Sequence, residues 1–325
     1  MRLRKKGHVV DMKQKIIIAL GGNALQDSKS EATAQAQLAV VRKTCACISE
    51  IIKQGNQVAV VHGNGPQVGR ILLASETAKS VTPTMPFDVC GAMSQGYIGY
   101  HIQQAMREVL RGAGHPELPV VTLVTQLVVP KDDPGFANPT KPIGKFYSEQ
   151  EAKSLAEEKG YTMKEDAGRG WRRVVASPIP TKIVEIDSIR ALWQNTVVIA
   201  CGGGGIPVVE DEERLCGVAA VIDKDFAAEL LAQELEADVL MILTEVEKVC
   251  VNFNKPDQRQ LSHMTVDEAE KLITDGQFGV GSMLPKVQAA VKFVKENPGK
   301  KAIISSLYQA SAALEGKTGT IIEMA

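Results

Sequence analysis

Aromatic residues make up only 4% of this 325-residue chain, histidines number 5, and 37 basic against 38 acidic side chains leave a net charge of -1. With no large basic block and no interleaving of basic and aromatic residues, a nucleic-acid surface is not expected. The apolar runs, about five to seven residues long, fall far short of the roughly 20 that span a bilayer, and no signal-type stretch opens the chain. A cytoplasmic protein without membrane contact is the resulting expectation. The cysteines at 45, 47, 90, 201, 216 and 250 form no C-x-x-C pair and stand at no zinc spacing from a histidine, so they read as core thiols of a reducing compartment. The Walker-A signature and the protein-kinase H-R-D and D-F-G sets are also missing, which excludes two classes of nucleotide site. The stretch from Gly63 to Gly69 imitates a dinucleotide fingerprint, but Val68 occupies the place of its third glycine.

What the chain does have is 44% hydrophobic residues, enough for a large core in one α/β unit or two lobes, and three apolar runs that each break into a glycine turn. IIIAL leads into Gly21, Gly22 and Asn23; VAVV leads, past His62, into Gly63, Asn64 and Gly65; TVVIAC leads into Gly202, Gly203, Gly204 and Gly205. Turns without Cβ atoms bring backbone N–H groups close to an oxyanion, and a helix starting just after adds the positive end of its dipole. For the four-glycine run, the expected reason is close approach of a ligand. His62 reads as a structural imidazole at a strand end.

From Ile16 onward, short β-branched runs alternate with helical patterns, which predicts a mostly parallel sheet covered by helices on both faces. Leu38, Val41, Cys45, Ile48 and Ile52 mark the first helix, a second is predicted from about Met93 to Leu110, and PVVTLVTQLVV reads as one strand. Residues 1–14, with Met12 as an alternative start, read as a mobile extension. Residues 130–145 hold four prolines and hardly any apolar side chains and are expected outside the core. A short helix capped by Ser148 and Glu151 and an exposed-looking segment, GRGWRRVV, follow, so about 127–180 reads as a lid inserted into the sheet domain.

Three lysines stand where a surface charge has no evident purpose. Lys224 lies between Asp223 and Asp225 at a helix start, Lys286 opposes the dipole in the first turn of another helix, and Lys141 sits between Thr140 and Pro142 in the expected lid. Together with the glycine turns they point to a phosphate gripped by ammonium groups and amides, the means by which phosphoryl transfer is catalysed.

Eight segments resemble the carbamate kinases of the amino acid kinase superfamily: IALGGNA, GNGPQVG, NPTKPIG, GRGWRRVV, ACGGGGIPV, VIDKD, LTEVEKV and GSMLPKVQAA. They run in the family's order over nearly the whole chain, although Lys145 replaces an expected proline and the segment before Lys15 has no counterpart. The resemblance implies a three-layer αβα sandwich with a mainly parallel sheet of about eight strands, a homodimer, and reversible transfer between ATP and carbamate giving ADP and carbamoyl phosphate. It implies carbamate at Gly21, Gly22, Asn23, Gly63, Asn64 and Gly65, with Gly202 to Gly205 adding amides. Nucleotide is implied at Lys224, Thr244, Val246, Met283 and Lys286, with Lys141, Lys224, Asp225 and Lys286 catalytic. Asp225 would orient lysines, and Mg2+ would be bound mainly through phosphates and water. Relatives in the wider superfamily carry a lysine at the position of Ala19, so the lid lysine Lys141 is expected to replace it. Two other readings stay open: a catalytically silent paralogue that binds carbamoyl phosphate or nucleotide, and a superfamily kinase with a different carboxylate or phosphonate acceptor.

Overall fold

Isoleucine and valine runs, buried on both faces, form the middle of an eight-stranded sheet, as a parallel sheet sandwiched between helices requires. The computed structural model describes residues 14–27, 31–166 and 168–325, together with the backbone of an antiparallel pair, Leu3–Lys5 and His8–Val10. Apart from that pair and Gln14, the expected N-terminal extension, Met12 included, lies outside the described residues.

In chain order the large sheet contains β1 (Lys15–Leu20), β2 (Gln57–His62), β3 (Val120–Thr122), β4 (Val197–Ile199), β5 (Val239–Thr244), β6 (His263–Thr265), β7 (Lys301–Ser306) and β8 (Thr320–Glu323). Their spatial order is β6-β8-β7-β5-β1-β2-β4-β3, and only β7 and β8 pair antiparallel. The chain thus builds β2, β4 and β3 on one side of β1 and the remaining four strands on the other. A crevice at the carboxyl ends of β1 and β5 is where such a reversal places a ligand.

Alternate residues feed two cores. Ile17, Ala19, Val61, Leu240 and Ile242 face α5 (Lys224–Glu234) and α6 (Leu284–Glu296), while Ile16, Ile18, Val60 and Met241 face α1 (Ala34–Lys53) and α3 (Phe87–Gly112). The result is the three-layer sandwich. Local signals place several helix ends as expected. Ser148 with Glu151 and Thr265 with Glu268 form complete capping boxes, and Gly160 closes α4 (Glu149–Lys159) in the left-handed region.

Five expectations need correction. Helix α3 starts at Phe87 rather than near Met93, because its buried face includes Cys90, Ser94 and Gln95, which blur the apolar period. PVVTLVTQLVV is two strands in different sheets: Val120–Thr122 joins the large sheet and Gln126–Val128 a four-stranded one with Lys182–Ile183, Ile206–Asp211 and Arg214–Gly217. Gln95 makes the switch feasible by accepting from Thr125 N at 2.8 Å and donating to Thr125 O at 3.0 Å.

The segment 130–145 does contribute to a core. Ile143 and Val175 pack on Val68 and Leu72 of α2 (Gly65–Thr77) and on Phe87 and Cys90 of α3. The small antiparallel sheet Lys141–Tyr147, Trp171–Val175 and Met163–Glu165 is narrower than the expected excursion, since Gln126–Val128 and Lys182–Ile183 pair with each other elsewhere. Its arginines are not simply exposed. Arg172 bonds Asp166 at 3.2 Å and lies over the Phe146 ring, and Arg173 lies over Tyr161.

Candidate active site

All three glycine turns leave the carboxyl ends of sheet strands, so parallel pairing of β1, β2 and β4 brings them together. The first, after β1, is a single 3-10 turn, Gly22–Ala24. The second opens α2, with Pro66 in the first turn, so its free amides face the space beyond β2. The third leads into a strand and not a helix, which removes the dipole expected there.

The four-glycine run has a different cause from the one expected. A Cβ at Gly202 would lie 2.6 Å from His62 Nε2, one at Gly203 2.2 Å from Asn64 Nδ2, and one at Gly204 2.1 Å from the Ile222 carbonyl. Gly203 and Gly204 also have φ of 70° and 91°. The protein's own atoms, from β2, the second turn and the segment before α5, occupy the space that side chains would need. Asn64 in turn donates to Ser94 Oγ at 2.8 Å.

Charge converges on the start of α5. Asp223 is its N-cap, accepting from Asp225 N at 3.0 Å. Asp225 is 1% exposed and accepts from two ammonium groups, Lys224 through Oδ1 and Lys286 through Oδ2, the latter at 2.9 Å. Lys286 comes from the first turn of α6, where Pro285 also sits. Burial pushes the Lys224 ammonium below the usual lysine range; the Asp225 charge opposes this and the Lys286 charge adds to it. Lys141 reaches the same helix start from the small sheet, bonding Asp223 Oδ2 at 2.7 Å. Burial works to raise the Asp223 carboxyl, but the Lys141 and Lys224 charges outweigh it and hold it below the usual range.

A cavity of about 640 Å3 opens over Lys224 and Lys286 at the β1/β5 crevice. Gly21, Gly22, Asn23, Thr244, Val246 and Met283 line it, so all five residues expected around nucleotide are in one place. Gly63, Asn64, Gly65, Lys141 and the four-glycine run do not line it. Of these, Gly63 lies across Lys224, whose Cδ comes within 3.5 Å of where a Gly63 Cβ would be. Lys224 therefore stands between the cavity and the second turn. Sequence reasoning did not find Ser94 and Gln95, whose polar side chains on the buried face of α3 were the available signal, or the aromatic cavity residues Phe253, Phe278 and Tyr308.

His62 is fully buried, and its Nδ1–H donates to the Gly63 carbonyl at 2.8 Å. Burial lowers its pKa to about 4, which keeps it neutral near neutral pH, in keeping with a structural imidazole. The six cysteines are free; Cys45, Cys90 and Cys201 are buried, whereas Cys216 is exposed and so is no core thiol. Among the described residues, no group of three or more His, Cys, Asp or Glu side chains could hold a metal ion, and no helix is long and apolar enough to cross a membrane.

A domain of this topology, with lysines and glycine amides gathered at the carboxyl ends of its strands, is that of a phosphotransferase, and residues 14–305 match the amino acid kinase family. The chain belongs to that family, and within it to the carbamate kinases. Carbamate kinase of Clostridium perfringens is 57% identical over 95% of this chain and 99% of its own length. A carbamate kinase-like protein of Escherichia coli is 50% identical over 96% of this chain and 99% of its own. Carbamate kinase from Giardia lamblia bound to AMP-PNP superposes with a TM-score of 0.91 at 47% identity, covering 96% of this chain and 99% of that one.

Proposed function

We propose that this chain catalyses reversible phosphoryl transfer between ATP and carbamate, giving ADP and carbamoyl phosphate, and runs toward ATP formation in fermentative arginine breakdown. The observation that carries the mechanism is Asp225, buried between Lys224 and Lys286, the two lysines that line the cavity. Carbamate is already an anion, so the attacking oxygen needs no general base. What the site must supply is positive charge between two anions, fixed before they arrive. Lys224 and Lys286 provide it, with Asp225 setting their positions. Lys141 adds a third charge from the side of the small sheet, and the amides of Gly21, Gly22, Gly65, Gly202 and Gly203 hold the outer oxygens, whereas those of Gly63, Gly204 and Gly205 are spent on the carbonyls of Leu20, Cys201 and Gly202. Asn23 and Asn64 orient the carbamate. Nucleotide lies along Thr244, Val246 and Met283.

Asp223 and Asp225, the carboxylates at the start of α5, are both committed to lysines. Magnesium accordingly enters as part of the nucleotide substrate. A homodimer is supported by Val89, Met93 and Tyr100, apolar side chains exposed along one side of α3.

The assay that tests the reading is ATP formation from ADP and carbamoyl phosphate by purified protein. Turnover with carbamoyl phosphate and none with acetyl phosphate or acetylglutamyl phosphate is expected. Activity only with another acyl phosphate would move the acceptor, and carbamoyl phosphate binding without turnover would make the chain a silent paralogue.

A further inference from the structure

Asp223 uses its two carboxylate oxygens for different tasks. Oδ1 caps α5 by accepting from Asp225 N at 3.0 Å, and Oδ2 accepts from Lys141 Nζ at 2.7 Å. Both partners are largely sheltered, with side-chain exposures of 26% for Lys141 and 14% for Asp223. The backbone makes the same connection a second time: Ala176, just after the last strand of the small sheet, bridges to Ala220, and Val221 N donates to the Ala176 carbonyl at 2.9 Å. Lys141 itself pairs in register with Val175. The base of the small sheet and the segment entering α5 are thus joined twice, once by backbone and once by charge.

A lysine has four rotatable bonds and a strongly hydrated head, so a catalytic ammonium is useful only when a neighbour fixes it. Lys224 and Lys286 have Asp225. We infer that Asp223 is the positioning residue for Lys141, registering the ammonium from the small sheet to the same helix turn that carries Lys224 and Asp225. This inference rests on the proposed kinase activity, in which Lys141 meets the transferring phosphoryl group. Because one carboxylate both starts the helix and holds the third lysine, the three ammonium groups share one reference point.

The test uses Asp223→Asn and Asp223→Ser, both good helix caps, so that α5 keeps its start while Lys141 loses its anion. Each is expected to lower kcat by about 10-fold to 10²-fold while the KM for ADP stays near that of the wild type. Combined with Lys141→Ala, neither should lower kcat beyond the loss from Lys141→Ala alone. In parallel, 1H–15N spectra of lysine ammonium groups should contain a protected Lys141 signal in the wild type that Asp223→Ser abolishes. Additive losses in the double variants, an unchanged kcat in both single variants, or a kcat raised by removal of the carboxylate would overturn the inference. A wild type that fails to turn over carbamoyl phosphate but keeps the protected signal would defeat the proposed activity and the catalytic purpose of the contact, leaving a purely structural tether. Absence of the signal from an active wild type would remove Asp223 as the holder of Lys141.

Discussion

Glu229 of α5 accepts from Lys292 of α6 at 2.7 Å, repeating deeper along the same two helices the pairing that Asp225 and Lys286 make at the site. The two helices are therefore clamped by charge at two levels, and the second level is the more costly one. Burial raises the Glu229 carboxyl from 4.5 to about 7 in spite of Lys292, with Glu296 adding to the rise, and its Oε1 has no hydrogen-bond partner among the described residues.

The sign of that shift sets a pH dependence. A folded carboxyl that binds its proton more tightly than the unfolded one makes the fold gain stability as pH falls from about 7 to 4.5. Glu229→Gln should flatten this part of the stability curve by about 3 kcal/mol, the free-energy equivalent of the rise from 4.5 to about 7. Denaturant unfolding of both proteins across that range checks it. An identical slope in the two would show that Glu229 titrates normally.

His62 acts in the opposite direction. Its folded pKa of about 4 lies below the ordinary 6.5, so its contribution is complete above pH 6.5 and is lost as pH falls toward 4. In His62→Gln the acid-induced loss of stability over that window should shrink by about 3 kcal/mol relative to wild type. Equal acid sensitivity of the two proteins would show that the imidazole is protonated in the fold.

Lys224→Ala and Lys286→Ala are each expected to lower kcat by about 10² or more with the fold intact, since each removes a preorganised charge from the transferring group. Circular dichroism with steady-state kinetics decides this. A folded variant with nearly wild-type turnover would take that lysine out of the mechanism.

Asp225→Asn should also depress turnover, through disorder of its two lysines, without moving the acidic limb of the pH–rate profile. Loss of a wild-type acidic limb in the variant, with chemistry rate-limiting, would reassign Asp225 as a titrating base.

Gly203→Ala should destabilise the protein by about 3 kcal/mol, combining a left-handed backbone with a contact 2.2 Å from Asn64 Nδ2. In an Asn64→Gly background the loss should fall to the backbone part alone. Equal losses in the two backgrounds, measured by urea unfolding, would show that the side chains do not meet.

Features carried by neighbours in sequence were legible before the fold was seen. The capping boxes at Ser148 and Thr265, the stripe of α1 and the glycine turns after β1 and β2 all depend on spacings of a few residues. Lys224, Asp225 and Lys286 were found because a cation at a helix start needs an explanation. What depends on distant partners was not legible. Nothing in the glycine run reveals that His62, Asn64 and Ile222 fill its side-chain space, and nothing near Lys141 reveals Asp223, 82 residues away. The core contact of Ile143 is hidden for the same reason, since its partners Val68, Leu72 and Phe87 come from earlier helices.

The interlock of Asn64 with Gly203 also bears on how such a chain can drift over generations. A larger residue at position 203 meets an occupied space, whereas a smaller one at 64 merely empties it. Of the two orders in which this pair could change, only the one that begins at position 64 passes through an intermediate without a collision. The first turn has no such arrangement, because a Cβ at Gly22 would meet nothing within 4 Å. Laboratory diversification of the site therefore has an asymmetric starting point: the turn after β1 tolerates single replacements sterically, while the turns after β2 and β4 must be varied together and from the β2 side first.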